Sequence, residues 1–422
     1  MSTSTDVQPE FGPATYAPEE PGGDVWVLNM GPQHPATHTT LRHVLELDGE
    51  RVLACTVHIG YLHSGFEKLG ETLNYDQCVA ICDRMNYVSP VANDIAWHHV
   101  CEKLFDVQLT PRCKAIRTIL AELARIQDHM ICVACTGLDV GGFTAFMFAY
   151  NGREHIYDLI EEATGARFTT SCTRVGGLTR DVSADWHHKV KRFCTEILPP
   201  ALEDMEKLIT RNRIFVERIT GVGYINHDDA INWGLTGPLA RASGVRRDLR
   251  KDEPYLCYAD NWDGKGTSGV DFKVAISHGG DCFSRYLVRL EEMRQAARII
   301  LQLADNIPEG PINLPADEKV VLPAKDDVYT SIEGLIHHFE KIMTNRGLVP
   351  PVGEVYGANE TANGELGFHL VSDGGNSPYR MRVRPPSFIN YQCLPQLVVG
   401  HRVSDVVAVV SGMNIIAAEL DR

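Results

Sequence analysis

The sequence predicts an α+β fold in which a helical bundle forms the core and small antiparallel sheets come from the N- and C-terminal parts. Long amphipathic patterns run through the middle of the chain. An Asp-Gly turn separates two apolar runs near its start, and alternating segments stand near its end. The 422 residues are 44% hydrophobic and 23% charged, which is typical of a globular protein with a large core.

The first predicted element is a β-hairpin. Apolar-rich runs over 43–47 and 50–57 flank Asp48 and Gly49. This dipeptide supplies the positive φ that a two-residue turn needs, so the two runs are expected to pair as antiparallel strands.

The helical bundle follows. The clearest amphipathic patterns cover residues 112–135, 153–164 and 283–306. Gly165 stands just beyond the second pattern, as a helix-terminating residue does. Residues 186–198 and 201–214 predict one helix that is broken or kinked at Pro199 and Pro200, because proline removes a helical hydrogen bond.

The C-terminal part returns to strand patterns. Residues 365–371 and 379–383 alternate on either side of a glycine-rich turn. We therefore divide the chain into an extended or disordered arm (1–24), a β-hairpin region (25–65), a helical core (66–320) and a C-terminal α+β region (321–422).

Charge and hydropathy exclude several classes of function. Asp and Glu number 55 against 40 Lys and Arg, and a net charge of −15 argues against a nucleic-acid binder. The most apolar stretch, 406–418, is short and interrupted by polar residues, and the first residues do not resemble a signal peptide. We expect a soluble protein on the cytoplasmic side.

Twelve cysteines do not predict a metal site. The chain has one Cys-x-x-Cys pair, Cys132 and Cys135, in a segment with a helical pattern, and no second pair completes a tetrahedral set. We expect buried, small apolar side chains and no metal bound by this chain.

The strongest candidates for catalytic residues stand on a stiff loop, Gly31-Pro-Gln-His-Pro-Ala-Thr-His38. Its prolines forbid a helix, and it presents His34 and His38, which suit proton donation near neutral pH or serve as caps of neighbouring backbone. Asp139 follows a predicted helix and is expected either to orient a histidine or to act as a cap. Because no self-contained catalytic motif is present, we expect the chain to work with a partner.

Several stretches together resemble the NuoD-type (49-kilodalton) subunit of respiratory complex I, the proton-pumping NADH:quinone oxidoreductase. The resemblance runs from about Val25 to the C-terminus. It is carried by the loop above and by His58-Ile-Gly-Tyr-Leu-His-Ser-Gly-Phe-Glu-Lys68, Gly234-Leu-Thr-Gly-Pro-Leu-Ala-Arg-Ala-Ser-Gly-Val245, Asp248-Leu-Arg-Lys251, Tyr286-Leu-Val-Arg-Leu-Glu-Glu-Met-Arg294 and Leu420-Asp-Arg422.

The same family is related to the large subunit of nickel–iron hydrogenases, so the resemblance implies a hydrogenase-like fold. Those enzymes hold their metal with two pairs of cysteines. The corresponding positions here are Asn86, Ser89, Val407 and Val410, so this chain lacks the thiolates that a nickel–iron centre requires. The resemblance implies that quinone binds in the cavity that remains.

The resemblance also implies the roles of individual residues. His38 and Tyr87 would hydrogen-bond the two carbonyl oxygens of a quinone, and Asp139 would pair with His38. His34 would line the same loop. Arg84 would lie near a 4Fe-4S cluster of the neighbouring NuoB-type subunit, and Thr169 occupies a position where the family usually has a histidine beside that cluster.

The implied protein is a subunit that reduces quinone, ubiquinone or menaquinone, only in the assembled complex, and that couples this reaction to proton translocation. Its partners would be NuoB-, NuoC- and NuoI-type hydrophilic subunits and a NuoH-type membrane subunit, at the cytoplasmic side of the cell inner membrane. A non-catalytic scaffold paralogue and the equivalent subunit of a ferredoxin-fed complex remain alternatives.

Five substitutions depart from the family pattern, and two of them are Thr39 and Ala418, which stand where glycines are usual. Thr169 replaces the histidine, and Asn86 and Asn414 stand where aspartates are usual. We expect the loss of the histidine to lower the potential of the partner's cluster and to weaken its pH dependence. The set hints at a divergent paralogue or a low-potential quinone such as menaquinone.

Overall fold

The computed structural model describes residues 24–315, 320–343 and 347–422, so the arm predicted over 1–24 lies almost wholly outside the described residues. The strands are β1 (Trp26–Met30), β2 (Arg42–Asp48), β3 (Arg51–His58), β4 (Thr173–Arg174), β5 (Gly177–Leu178), β6 (Gly353–Thr361), β7 (Gly364–Ser372) and β8 (Arg380–Arg384). The helices are α1 (Phe66–Gly70), α2 (Val79–Cys82), α3 (Pro90–Phe105), α4 (Pro111–Asp139), α5 (Phe143–Thr164), α6 (Trp186–Arg192), α7 (Leu198–Met205), α8 (Arg213–Ile219), α9 (His227–Asn232), α10 (Pro238–Arg241), α11 (Leu249–Asp252), α12 (Cys282–Ala304), α13 (Lys325–Thr330), α14 (Ile332–Ile342), α15 (Pro386–Tyr391), α16 (Leu394–Val398), α17 (Val403–Met413) and α18 (Ala417–Asp421). The predicted α+β class is confirmed.

The N-terminal sheet is antiparallel in the order β1-β2-β3. The predicted hairpin is present, but its turn is displaced by one residue, because Asp48 pairs with Arg51 and leaves Gly49 and Glu50 as the two loop residues. A register shift between Glu46 and Leu47 accommodates this displacement. The third strand, β1, was not predicted.

The bundle is organised around α4, a 29-residue helix that packs against α3, α5, α12 and α17. Thr110 caps its first turn by accepting from the backbone N–H of Cys113, and Pro111 occupies the first helical position. The predicted apolar stripe is buried, Leu123 and Ile126 among it. Burial of each such side chain stabilises the fold by about 1.5–3 kcal/mol. The helices predicted over 153–164 and 283–306 are also confirmed, as α5 and α12.

The two prolines do not break the helix that contains them. Two π-helical segments, Phe193–Ile197 and Glu206–Thr210, flank α7, so the chain stays helical from Trp186 to Thr210. Pro199 and Pro200 fall in the first turn of α7. The π-helical segment before α7 removes the need for amide donors at these two positions. Residues 211–214 do not continue this helix, because the Asn212 side chain caps α8.

The C-terminal sheet has the order β6-β7-β8, and the predicted hairpin is its β7-β8 pair. Strand β6 was missed because polar residues occupy its buried half. Glu360, for example, is buried and binds the guanidinium of Arg241, so its burial is decided by a partner far away in sequence.

Within the described ranges, no helix is long and apolar enough to cross a membrane. The apolar stretch noted in the sequence corresponds mostly to α17, which packs against α4 and α12 instead.

Candidate functional site

The histidine loop folds into a tight 3-10 turn over Pro35–Thr37. The buried hydroxyl of Thr37 donates hydrogen bonds to the carbonyls of His34 and Thr39, at 2.9 and 2.8 Å. His38 follows the turn with a φ of 57°, in the left-handed region that non-glycine residues rarely adopt. The turn therefore fixes the direction in which the His38 side chain leaves the loop.

His38 and Asp139 form an ion pair through the imidazole Nε2 and the carboxylate Oδ2. Burial opposes a charged imidazole, but the hydrogen bonds with Asp139 and Cys135 outweigh it and raise the pKa of His38 to about 10. Asp139 is the last residue of α4, so the prediction that it follows a helix is close to what the structure has. At neutral pH, the imidazole of His38 is therefore protonated and charged, and it lies beside a carboxylate.

A cavity of about 290 Å³ opens beside this pair. Its wall contains His38, Tyr87 and Phe168, and the rings of Tyr87 and Phe168 lie 6.3 Å apart. Burial raises the pKa of Tyr87, so its hydroxyl stays protonated and can donate a hydrogen bond. The cavity volume is close to the lower end of small-molecule sites and suits one ring rather than a large ligand.

The other predicted site residues lie outside this wall. His34 is exposed and its Nδ1 accepts from the Ala36 amide at 3.2 Å, so it acts as a cap of the turn. Arg84 is exposed beside Asp83, with 3.8 Å between the nearest charged atoms. Thr169 directly follows Phe168 and is half-buried.

Cys135, Tyr150 and Arg153 are among the wall residues that the sequence did not predict. The guanidinium of Arg153 lies 4.0 Å from the ring centre of Tyr150 and 4.7 Å from that of Tyr157, which places a positive charge on aromatic faces at the cavity. The spacing of three and four residues on α5 was a usable signal, because such residues share a helix face.

The cysteine positions give no indication of a metal. Across the described ranges, no group of three or more His, Cys, Asp or Glu side chains is placed to hold an ion. Cys132 is buried and burial raises its thiol pKa to about 12, whereas Cys135 is partly exposed. Of the four positions compared with hydrogenase cysteines, Val410 lines the cavity, while Asn86 and Ser89 bind the carboxyl group of Asp128.

A larger cavity of about 600 Å³ lies elsewhere, between the segment 73–80 and residues such as Arg174 and Lys341. None of the predicted site residues lines it. Size alone therefore does not locate the predicted site. His38 and Tyr87 both line the smaller cavity, and Asp139 binds His38.

Residues 139–422 match the family described as the 49-kilodalton subunit of the respiratory-chain NADH dehydrogenase. The chain belongs to this family. The D-type subunit of the NADH-quinone oxidoreductase of Akkermansia muciniphila is 46% identical over 403 residues, which cover 96% of this chain and 94% of that protein. Its counterpart in Geotalea uraniireducens is 43% identical, over 94% of this chain and 99% of its own length.

A third relative joins two subunits in one polypeptide. The fused C/D-type subunit of the NADH-quinone oxidoreductase of Bdellovibrio bacteriovorus is 46% identical over 395 residues, covering 94% of this chain and 68% of the longer protein. The NuoD-type assignment is thus confirmed, and the chain is part of an oxidoreductase complex of the NADH dehydrogenase type.

Proposed function

We propose that this protein forms the quinone-reducing site of a proton-translocating NADH:quinone oxidoreductase. The observation that carries the proposal is that His38, which is paired with Asp139, and Tyr87 line the same cavity. A quinone has two carbonyl oxygens on opposite sides of its ring, and the cavity offers an imidazolium and a phenol as the two donors. The relatives are named as subunits of an NADH-quinone oxidoreductase, which supports the substrate class.

Two-electron reduction places negative charge on both quinone oxygens, and each oxygen then takes up a proton. His38 is the stronger donor, because it is charged at neutral pH. Its Nε2 is bound to Asp139, so the proton that passes to the nearer quinone oxygen is the one on Nδ1. Tyr87 stabilises the second oxygen by donating its phenolic hydrogen bond, and the proton that this oxygen takes up comes from water. The electrons would come from a 4Fe-4S cluster that the neighbouring NuoB-type subunit would hold.

Proton transfer from His38 also changes the charge of the ion pair. While His38 is protonated, Asp139 is compensated; after transfer, the side chain of Asp139, which is only 9% exposed, faces a neutral imidazole. An uncompensated carboxylate at such a site is unfavourable, so Asp139 either takes up a proton or turns towards another partner. We propose that this change starts the coupling to proton translocation.

The proposal includes the surroundings of the site. The protein works at the cytoplasmic side of the cell inner membrane with NuoB-, NuoC- and NuoI-type subunits and a NuoH-type membrane subunit. The fused C/D-type relative supports the association with a NuoC-type partner, because fusion keeps two chains together. Arg84 and Thr169 are proposed to face the partner's cluster, and ubiquinone or menaquinone is the substrate.

The test uses the assembled complex with NADH as donor. Tyr87→Phe removes only a hydroxyl, and His38→Ala removes the protonated imidazole. We expect both to lower quinone reduction at least tenfold, while electron transfer from NADH to a water-soluble acceptor that does not enter the cavity stays normal. Unchanged quinone reduction in both variants would eliminate the catalytic proposal and favour a scaffold role.

A further inference from the structure

A buried carboxyl group lies behind the cavity wall and has no role in the chemistry above. Asp128 is on α4 and is fully buried. Its Oδ2 accepts hydrogen bonds from the amide of Asn86 at 3.0 Å and the hydroxyl of Ser89 at 2.9 Å. Its Oδ1 accepts from the amide of Asn414 at 2.7 Å. These three donors are neutral, so the cluster is a hydrogen-bonded junction rather than an ion pair.

The two asparagines are joined to different segments of the cavity wall. Asn86 directly precedes Tyr87 and Val88, which both line it, and the side-chain oxygen of Asn86 accepts from the backbone N–H of Val88 at 3.2 Å. The Asn86 side chain is therefore tied both to the Tyr87 segment and to Asp128.

In a second segment of the wall, Asn414 ends α17 with a φ of 55° and itself lines the cavity, as do Ile415 and Ile416. Its amide also donates to Asn363 at 2.6 Å. The left-handed backbone of a non-glycine residue needs support from its surroundings, and the hydrogen bond to Asp128 supplies part of that support.

We propose that Asp128 is a positioning residue of the quinone site, which holds the Tyr87 segment and the Asn414 wall at a fixed separation. This inference rests on the proposed function of the cavity. Only a carboxyl group accepts on both sides at once. An amide in its place presents one oxygen and one NH₂ group. On one side, its NH₂ group would face the NH₂ group of an asparagine, and the hydrogen bond on that side would be lost.

Three substitutions test the inference in the assembled complex. Asp128→Asn is expected to raise the KM for a short-chain quinone about tenfold and to change kcat much less, because the distance across the cavity becomes variable. Asn86→Ala cuts the same connection from the other end and should raise KM to a similar degree. Asp305→Asn, an exposed carboxylate paired with Lys191, is the matched control.

The decisive variant is the exchange Asp128→Asn combined with Asn86→Asp. It moves the carboxyl group to position 86. The new asparagine side chain at position 128 can then donate its NH₂ group to the carboxylate at position 86 and accept from Asn414 with its oxygen. The KM is expected to return to within about twofold of the unsubstituted value, a non-additivity that marks direct coupling. Recovery of this kind separates positioning from general destabilisation of the fold.

The outcomes distinguish this inference from the proposed function. A normal KM in Asp128→Asn, or a raised KM that the exchange does not correct, overturns the positioning role even when Tyr87→Phe is impaired. If Asp128→Asn fails to assemble, a normal KM in Asn86→Ala has the same consequence. Normal quinone reduction in Tyr87→Phe and His38→Ala instead overturns the function of the cavity itself.

Discussion

The substitution Asp139→Asn tests directly whether Asp139 keeps His38 protonated, because it keeps the shape of the side chain and removes its charge. The structure places Asp139 in contact with His38, whose pKa is about 10 instead of the ordinary 6.5. The difference corresponds to at most about 5 kcal/mol of preference for the charged imidazole, at 1.36 kcal/mol for each pKa unit. His38 is 24% exposed, so solvent screens this interaction only in part.

Without the carboxylate, burial becomes the dominant influence on His38 and lowers its pKa towards or below 6.5. At pH 7.5, the unsubstituted protein has about 300 charged His38 side chains for each neutral one, whereas the variant has about ten neutral side chains for each charged one. We therefore expect Asp139→Asn to reduce quinone about tenfold more slowly at pH 7.5 than at pH 5.5.

The assay is the pH profile of quinone reduction by the assembled complex between pH 5.5 and about 9, the range over which His38 stays mostly charged. The unsubstituted protein should show no loss that is due to His38 in this range. Electron transfer to a water-soluble acceptor corrects for effects elsewhere in the complex, and Asp305→Asn serves as the control. A profile of Asp139→Asn that matches the unsubstituted one up to pH 9 would refute the reasoning.

Three further predictions concern the cavity wall and the buried polar core. Arg153→Met removes the cation from the faces of Tyr150 and Tyr157, and chemical denaturation should show a loss of about 0.5–2 kcal/mol. Arg153→Lys should lose less, and an unchanged midpoint in Arg153→Met contradicts this. Glu419 is fully buried, and burial raises its pKa to about 7, so its ionisation destabilises the fold as the pH rises from about 4.5 through 7. Glu419→Gln should therefore gain stability relative to the unsubstituted protein at pH 8 but not at pH 4.5, by at most about 3 kcal/mol in thermal unfolding; an equal difference at both pH values contradicts this. Arg241→Met leaves Glu292 and Glu360 buried without their cation, and chemical denaturation should show a loss of about 3–5 kcal/mol, whereas an unchanged midpoint would show that the pairing contributes little.

Local patterns were sufficient where one helix face or one turn decides the structure. The stripe over 112–135 predicted most of α4 because each apolar residue is buried by the helix period itself. The prolines before His38 predicted an extended, stiff loop, and this was wrong in part, because the structure has a 3-10 turn over Pro35–Thr37 with proline in its first position.

Contacts between residues far apart in sequence decided the features of the structure that local patterns did not predict. Strand β6 was missed because Glu360 is buried only by virtue of Arg241. Continuity of the helix through Pro199 and Pro200 depends on a π-helical turn that proline propensity does not predict. The positions of Cys135 and Arg153 at the cavity also depend on the tertiary structure, because spacing along a helix shows which residues share a face but not what that face lines.

The sequence by itself determined the α+β class, the helical core and the residues that could carry a proton, since these depend on periodicity and side-chain chemistry. Only the tertiary structure decided that His38 and Asp139 form an ion pair and that Tyr87 shares their cavity. It also brought Asn86 and Asn414 to the two oxygens of Asp128. The physical reason is that a pKa or a hydrogen bond depends on distance in space, and 101 residues of chain separate His38 from Asp139.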